Sequence, residues 1–108
     1  MINIAKKYFK SFSNKDLITL EKMFTNNIVL MDWTTKIKSK KKVLKFNEKI
    51  FKSFKKVSVN LEESFTNLKN NSIACKITVQ LNKKKLKVID IIYFDKKNKI
   101  KKIVAYLG

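Results

Sequence analysis

The chain contains no proline, no histidine and no arginine, and it has only one glycine and one cysteine. Without histidine and with a single cysteine it lacks the residue sets that bind zinc, so neither a metal nor a cofactor is predicted. Cys75 cannot form an internal disulfide and falls on the apolar face of an alternating segment, which favours a buried thiol. The first residues do not show a charged segment followed by an apolar one, so we expect no leader, and there is no apolar run of about 18 residues. We therefore expect a cytoplasmic protein that does not enter a membrane.

The formal charge is +18, and all 26 basic residues are lysines. Arginine is the side chain that makes bidentate contacts to guanine and phosphate, so its absence argues against a dedicated nucleic-acid surface. The same lysine, asparagine and isoleucine bias is typical of proteins from AT-rich genomes. We expect no specific nucleic-acid partner, only non-specific attraction to polyanions at low salt.

Residues 1–108 are predicted to form one domain, because this length suffices for a single core. Hydrophobic periodicity and turn residues divide it into helices and strands. The predicted helices are 2–12, one beginning at Asp16, and 40–54, which Ser39 caps. Asn26-Asn27 is interpreted as a turn. The predicted strands are 28–33, 57–68, 73–81, 88–95 and 100–107, with a bulge at Glu62-Glu63.

The segment from Val88 to Asp95 is the predicted central strand. Alternate residues put Val88, Ile92 and Phe94 on one face and three apolar residues on the other, so we expect cover on both faces. Asp90 lies in the middle of it. A carboxylate buried without a partner is unfavourable and either takes up a proton or finds a partner.

The predicted order is helix, helix, short strand, helix, then four long antiparallel strands in a meander. This order indicates an α+β fold, with three N-terminal helices on a strongly curved, mostly antiparallel sheet. Helices over the concave side of such a sheet close a cone, which is a usual place for a small-ligand pocket.

Five segments carry a resemblance to a known group of proteins. The chain resembles the nuclear-transport-factor-2-like (NTF2-like) superfamily, with its cystatin-like fold, and within it the SnoaL-like polyketide cyclases and ketosteroid isomerases. The resemblance covers nearly the whole chain, as one SnoaL-like domain. The segments are Ile4-Ala5-Lys6-Lys7-Tyr8-Phe9, residues 16–27, Val29-Leu30-Met31-Asp32, Val43-Leu44-Lys45-Phe46 and residues 89–100.

The resemblance implies a catalytic set. Asp32 falls at the position of the general base, Tyr8 at that of the oxyanion-binding tyrosine, and Asp90 at that of the protonated acid that completes the oxyanion hole. It implies isomerisation or cyclisation by proton abstraction next to a carbonyl. The residues that it places around the pocket are Trp33, Phe46, Asn47, Ile92 and Leu107. Trp33 stands where that group usually has proline, and Asn47 replaces a supporting tyrosine.

Each of these residues also has a structural interpretation. Tyr8 fits an aromatic at the edge of the core, and Asp90 fits a buried carboxyl bonded within the protein. Asp32 fits a carboxylate held by turn amides or paired with a lysine. The pocket positions Trp33, Phe46, Ile92 and Leu107 also fit ordinary residues of the core. The alternative function is therefore a non-catalytic module that binds a small ligand or dimerises. The expected partners are a small hydrophobic or anionic molecule and a second copy of the chain, joined through the sheet.

Overall fold

The computed structural model describes residues 1–108, which form three helices and one curved, six-stranded mixed sheet. None of the helices combines the length and the apolar character needed to cross a membrane. The elements in chain order are α1 (Ile2–Ser13), α2 (Leu17–Met23), β1 (Phe24–Met31), β2 (Lys36–Lys38), α3 (Lys40–Ser53), β3 (Val57–Asn67), β4 (Ser72–Leu81), β5 (Lys84–Phe94) and β6 (Ile100–Leu107).

The strand order in the sheet is β2-β1-β6-β5-β4-β3. The last four strands form the predicted antiparallel meander. The irregularity in β3 between Leu61 and Glu63 is the predicted bulge, which bends the strand locally. Strand β1 joins β6 in parallel, a pairing that the sequence pattern did not predict. The α+β class and the mostly antiparallel sheet are confirmed.

Helices α1 and α2 form the start of the chain. Ala5, Tyr8 and Phe9 follow the three- and four-residue spacing of a helical stripe, and all three are buried. Asp16 caps α2, since its Oδ1 accepts a hydrogen bond from the backbone N–H of Thr19 at 3.0 Å. The third helix does not follow directly, because the β1–β2 hairpin comes before it. "Three N-terminal helices" is therefore imprecise as a description of this chain.

Helix α3 begins at the predicted cap. The Ser39 hydroxyl accepts a hydrogen bond from the backbone N–H of Lys42 at 3.4 Å. The residues of α3 that are buried are Val43, Asn47 and Phe51, spaced by four along one face. A polar amide therefore occupies the middle of the stripe that this helix turns inward.

The predicted turn at Asn26-Asn27 is wrong. Both asparagines are exposed and lie within β1, where the pairing with β6 shifts register between Phe24 and Val29. Asparagine favours turns because its side chain competes for backbone hydrogen bonds. Neither asparagine has a partner in the pairing with β6, so the two residues form an irregular stretch of β1 rather than a turn.

The expectation that β5 is covered on both faces holds for only one face within this chain. Val88, Asp90, Ile92 and Phe94 point to the concave side and are buried. On the opposite side the three apolar residues of β5 are only partly buried, and Phe65 and Tyr106 nearby are more than half exposed. We call this surface the outer face; its apolar residues on β3, β5 and β6 are Phe65, Ile89, Ile91, Tyr93, Val104 and Tyr106.

Candidate functional site

A cavity of about 200 Å³ lies between α1, α3 and the concave side of the sheet. Its wall is apolar except for a few polar side chains that come from separate parts of the chain. Tyr8 comes from α1, Asp32 follows β1, Asn47 comes from α3 and Asp90 comes from β5. The fold thus brings the three predicted catalytic residues to one cavity.

Asp90 lies deep in this wall, with only 8% of its surface exposed. Its neighbours across the sheet are Cys75 on β4 and Ala105 on β6. Burial raises the pKa of the carboxyl from 3.8 to about 7, and no hydrogen bond or positive charge offsets that effect. The neutral acid is therefore well populated near neutral pH, and a neutral carboxylic acid can donate a hydrogen bond.

Tyr8 faces the same part of the cavity from α1. Its ring packs against Phe9, Phe12 and Phe24, with centroids 5.4, 6.2 and 6.1 Å away. Burial raises the pKa of the phenol, and the negative charge of Asp90 raises it further. The hydroxyl is thus held in its protonated form as a second donor close to Asp90.

Asp32 immediately follows β1 and anchors the turn that leads into β2. Its Oδ1 accepts hydrogen bonds from the backbone N–H groups of Thr34 and Thr35, at 2.8 and 2.7 Å, and from the Thr34 hydroxyl at 3.1 Å. Such a turn is the structural role considered from the sequence. All three bonds go to Oδ1, so Oδ2 remains free to accept a proton.

The other predicted pocket residues divide into two groups. Trp33, Phe46 and Asn47 do line the cavity, and Trp33 is 47% exposed. Ile92 and Leu107 do not, so their assignment to the wall is wrong. Ile92 lies one inward position beyond Asp90 and is fully buried in the core, whereas Leu107 is 47% exposed where β6 ends.

Most of the apolar wall was not identified from the sequence. It includes inward residues of the meander, such as Val59, Ile77, Val79 and Val88. Their alternation predicted which side of each strand faces inward. The pattern has no signal that separates a residue lining a cavity from one that fills the core.

Cys75 lies opposite Asp90 and is fully buried. Burial raises the pKa of this thiol to about 12, and the charge of Asp90 adds to the effect. Because the thiolate is the reactive form, this is a structural cysteine rather than a nucleophile.

We expect Cys75 in the folded protein to react with an aromatic disulfide reagent about a hundredfold more slowly than an exposed thiol. The comparison is a variant carrying Cys75→Ala and Ser53→Cys, because Ser53 is exposed at the end of α3. Denaturant should remove the difference. Equal rates for the two thiols in the folded state would show that Cys75 is accessible.

The structure holds no group of three or more His, Cys, Asp or Glu side chains arranged to bind a metal ion. Two ion pairs are present, Lys52–Glu48 and Lys87–Glu62, and neither borders the cavity. The polar chemistry of the cavity therefore rests on two carboxyls, a phenol, an amide and the Trp33 indole.

Comparisons with known proteins give a consistent answer at the level of fold. No protein-family model matches the chain, and no curated protein matches it. Many solved structures do. A SnoaL-like protein of unknown function from Burkholderia thailandensis superimposes with a TM-score of 0.86 at 9% identity, covering 98% of this chain and 92% of that one.

Two further structures have names that suggest an activity. A candidate SnoaL-like polyketide cyclase from Shewanella denitrificans has a TM-score of 0.85 at 17% identity, covering 98% of this chain and 88% of its own. A candidate ketosteroid isomerase from Kribbella flavida has a TM-score of 0.83 at 11% identity, covering 98% and 76%. The protein has the NTF2-like fold, with a small, largely apolar cavity inside the cone.

Proposed function

We propose that the protein binds a small hydrophobic carbonyl compound in this cavity and moves a proton on the carbon next to the carbonyl. The observation that carries the proposal is the Asp90 carboxyl, which is buried without a partner next to the Tyr8 phenol in an otherwise apolar wall. Titratable groups with strongly perturbed pKa values inside a cavity are typical of catalytic sites.

The proposed reaction begins with Asp32. Its free Oδ2 takes a proton from the carbon next to the carbonyl, and the electron pair of that C–H bond moves to form the enolate. The Tyr8 hydroxyl and the neutral Asp90 acid donate hydrogen bonds to the enolate oxygen, where fixed donors in a dry site are most effective. Where the ligand carries a C=C bond next to that carbon, the enolate extends over it, and return of the proton from Asp32 to the far carbon shifts the double bond. Where the ligand carries a second carbonyl, attack of the enolate carbon on it closes a ring, and the alkoxide that forms takes the proton from Asp32.

Deuterium exchange tests this proposal without knowledge of the natural substrate. β-Tetralone, a bicyclic ketone with acidic protons next to its carbonyl, is incubated with the protein in D₂O and followed by proton NMR. The expected result is exchange well above the rate in buffer with the same concentration of heat-denatured protein. If β-tetralone binds in the cavity and its exchange is not accelerated, the proton-transfer role is rejected.

One observation favours a second function, non-catalytic binding of a small ligand. Three donors hold Oδ1 of Asp32, so this carboxylate already has a structural role in the β1–β2 turn. In a binding module Asp90 and Tyr8 would orient the ligand without reacting. The ligand would then be recovered unchanged, with binding but no exchange in the tetralone experiment.

We also propose that two copies of the chain join through the outer face. Ile91 lies at its centre, between Ala74 on β4 and Val104 on β6, and no helix of the chain covers it. Around it Phe65 and Tyr106 are more than half exposed, and exposed large apolar residues on one sheet face are typical of protein interfaces. The high positive charge opposes association, so the dimer should tighten as salt rises and screens the repulsion.

The variant Ile91→Asp is expected to raise the dimer dissociation constant about a hundredfold, because a carboxylate would be buried at the centre of the interface. Light scattering should give twice the chain mass of 12.7 kDa for the wild type and the mass of one chain for the variant. Ile18→Asp is the control, since Ile18 is 72% exposed on α2, away from the outer face. A monomeric wild type at high concentration and moderate salt would reject the dimer.

A further inference from the structure

Trp33 is the one residue of the cavity wall that is exposed to solvent. Of the 18 residues that line the cavity, all the others are buried or partly buried, whereas 47% of the surface of Trp33 is exposed. The chain has other exposed large hydrophobic residues, and none of them lines the cavity. Trp33 therefore lies where the cavity meets solvent, and we call this place the mouth of the cavity.

The ring of Trp33 has no aromatic partner within the chain. Tyr8, Phe9 and Phe12 also line the cavity, and each of them packs against at least one other aromatic ring. Trp33 makes no such contact and is not part of the hydrophobic core. A single exposed hydrophobic residue is ordinary. An indole at the mouth of an apolar cavity, however, presents a large unpaired aromatic face to a molecule that enters.

The backbone on both sides of Trp33 is held by the turn that Asp32 anchors. The backbone N–H of Asp32 donates to the carbonyl oxygen of Thr35 at 2.9 Å, and the N–H groups of Thr34 and Thr35 donate to the Asp32 carboxylate. Because Trp33 lies between these hydrogen bonds, its backbone is fixed relative to Asp32. Both side chains line the same cavity. A ligand ring that contacts the indole is therefore held on the side of the cavity where the proposed base lies.

We propose that Trp33 determines ligand specificity, by packing its indole against a flat, unsaturated ring of the ligand at the mouth of the cavity. Two aromatic rings attract each other beyond the effect of buried area, because the negative face of one ring meets the positive edge of the other. A saturated, puckered ring gains only the burial. The inference rests on the proposed use of the cavity as a small-molecule site, and it does not require that the ligand react.

The cavity volume sets the size of the probes. A cavity of roughly 150 Å³ holds benzene, so about 200 Å³ suits a compact ligand of one or two rings. Two ketones of this size differ in the saturation of one ring. They are β-tetralone, in which a benzene ring is fused to the ketone ring, and β-decalone, in which both rings are saturated. The carbonyl has the same position in both, so hydrogen bonds to its oxygen contribute to both affinities.

The experiment measures the dissociation constants of both ketones by NMR titration, for the wild type, Trp33→Leu and Trp33→Phe. The measured quantity is the ratio of the β-decalone constant to the β-tetralone constant. This ratio is expected to fall about fivefold in Trp33→Leu, because leucine keeps an apolar side chain but has no ring. Phenylalanine retains an aromatic ring, so Trp33→Phe should keep the ratio within about twofold of the wild-type value.

Contact with the ligand can be observed directly, because Trp33 is the only tryptophan of the chain. Its indole N–H gives a single signal in a nitrogen-15 spectrum, and bound β-tetralone should shift that signal. Nuclear Overhauser effects should also connect the indole protons with the aromatic protons of β-tetralone. The matched control is Phe65→Leu, since Phe65 is 57% exposed on the outer face and does not line the cavity. Loss of that exposed ring should leave the ratio unchanged.

The possible results separate this inference from the proposed function. If β-tetralone binds but the ratio is the same in wild type and Trp33→Leu, the specificity role is rejected and the small-molecule site stands. Equal affinity of the wild type for the two ketones also rejects it. If neither ketone shifts the signals of cavity residues, the small-molecule site is rejected together with the role of Trp33. The expected fall in the ratio without deuterium exchange of β-tetralone would support the role of Trp33 and reject only the proton transfer.

Discussion

Replacement of Asp32 by asparagine is expected to slow the deuterium exchange of β-tetralone by about a thousandfold, which is a typical contribution of a general base. The amide that replaces the free Oδ2 cannot accept a proton at neutral pH. The rest of the side chain can keep its place, because the amide oxygen can accept the hydrogen bonds that Oδ1 now takes from Thr34 and Thr35. The substitution therefore removes the base while it retains the turn.

A matched control exists elsewhere in the chain. Asp95 also follows a strand, and its Oδ1 accepts hydrogen bonds from the backbone N–H groups of Lys97 and Lys99, both at 2.9 Å. It does not line the cavity. Asp95→Asn should therefore leave exchange unchanged, which separates loss of a base from loss of a turn carboxylate.

Binding and turnover must be measured together for Asp32→Asn. The dissociation constant of β-tetralone should change little, because the base contributes mainly to the transition state. If the variant exchanges β-tetralone at the wild-type rate, Asp32 is not the base. Loss of exchange together with loss of binding would instead assign Asp32 to the architecture of the β1–β2 turn.

Much of the fold could be predicted because local patterns and tertiary structure agree. The alternation from Ile73 to Leu81 predicted β4, and Ser39 predicted the start of α3. The parallel pairing of β1 with β6 could not be predicted in this way. It joins residues far apart in the chain, and no local pattern of β1 identifies β6 as its partner.

The outer face shows a second limit of sequence patterns. Ile89, Ile91 and Tyr93 predicted that the second side of β5 is buried, yet no element of this chain covers it fully. An apolar strand face indicates that something must cover it. The pattern does not distinguish a helix of the same chain from a second molecule.

The sequence predicted only part of the candidate site, because local patterns do not report three-dimensional packing. The resemblance implied that Tyr8, Asp32 and Asp90 surround one cavity, and all three line it. The exposure of Trp33 at the mouth of the cavity is a property of packing, since it depends on every residue that could cover the ring. The hydrogen bonding of Asp32 also depends on the three-dimensional structure, since the donors of the β1–β2 turn occupy Oδ1 and leave Oδ2 free.

Asp90→Asn is expected to change the pH dependence of folding stability. The folded-state pKa of Asp90 is raised from 3.8 to about 7, so the folded protein keeps this proton over a pH range in which the unfolded chain loses it. The contribution of Asp90 to the free energy of unfolding is therefore greatest below pH 3.8, and it decreases as the pH rises towards 7. Above that value the ionised carboxylate stays buried, and the loss is constant at about 4 kcal/mol.

Asparagine resembles the neutral acid in shape and does not titrate, so Asp90→Asn should abolish this loss. Relative to the wild type, the variant should gain about 4 kcal/mol in unfolding free energy between pH 4 and pH 8. Other groups titrate in the opposite sense; hydrogen bonds from Thr19 hold the pKa of Asp16 below its ordinary value. Because Asp16 is unchanged in both proteins, the difference between their curves isolates Asp90.

Urea unfolding at several pH values measures the curves, and carbon-detected NMR of the Asp90 carboxyl measures its pKa directly. Titration near pH 7 would mean that the neutral acid, and with it one of the two proposed oxyanion donors, disappears as the solution becomes alkaline. Protein-catalysed exchange of β-tetralone should then decline above about pH 7. Parallel stability curves and titration near the ordinary value would show that Asp90 is solvated or paired, which would rule out the oxyanion hole and leave ligand binding as the function of the cavity.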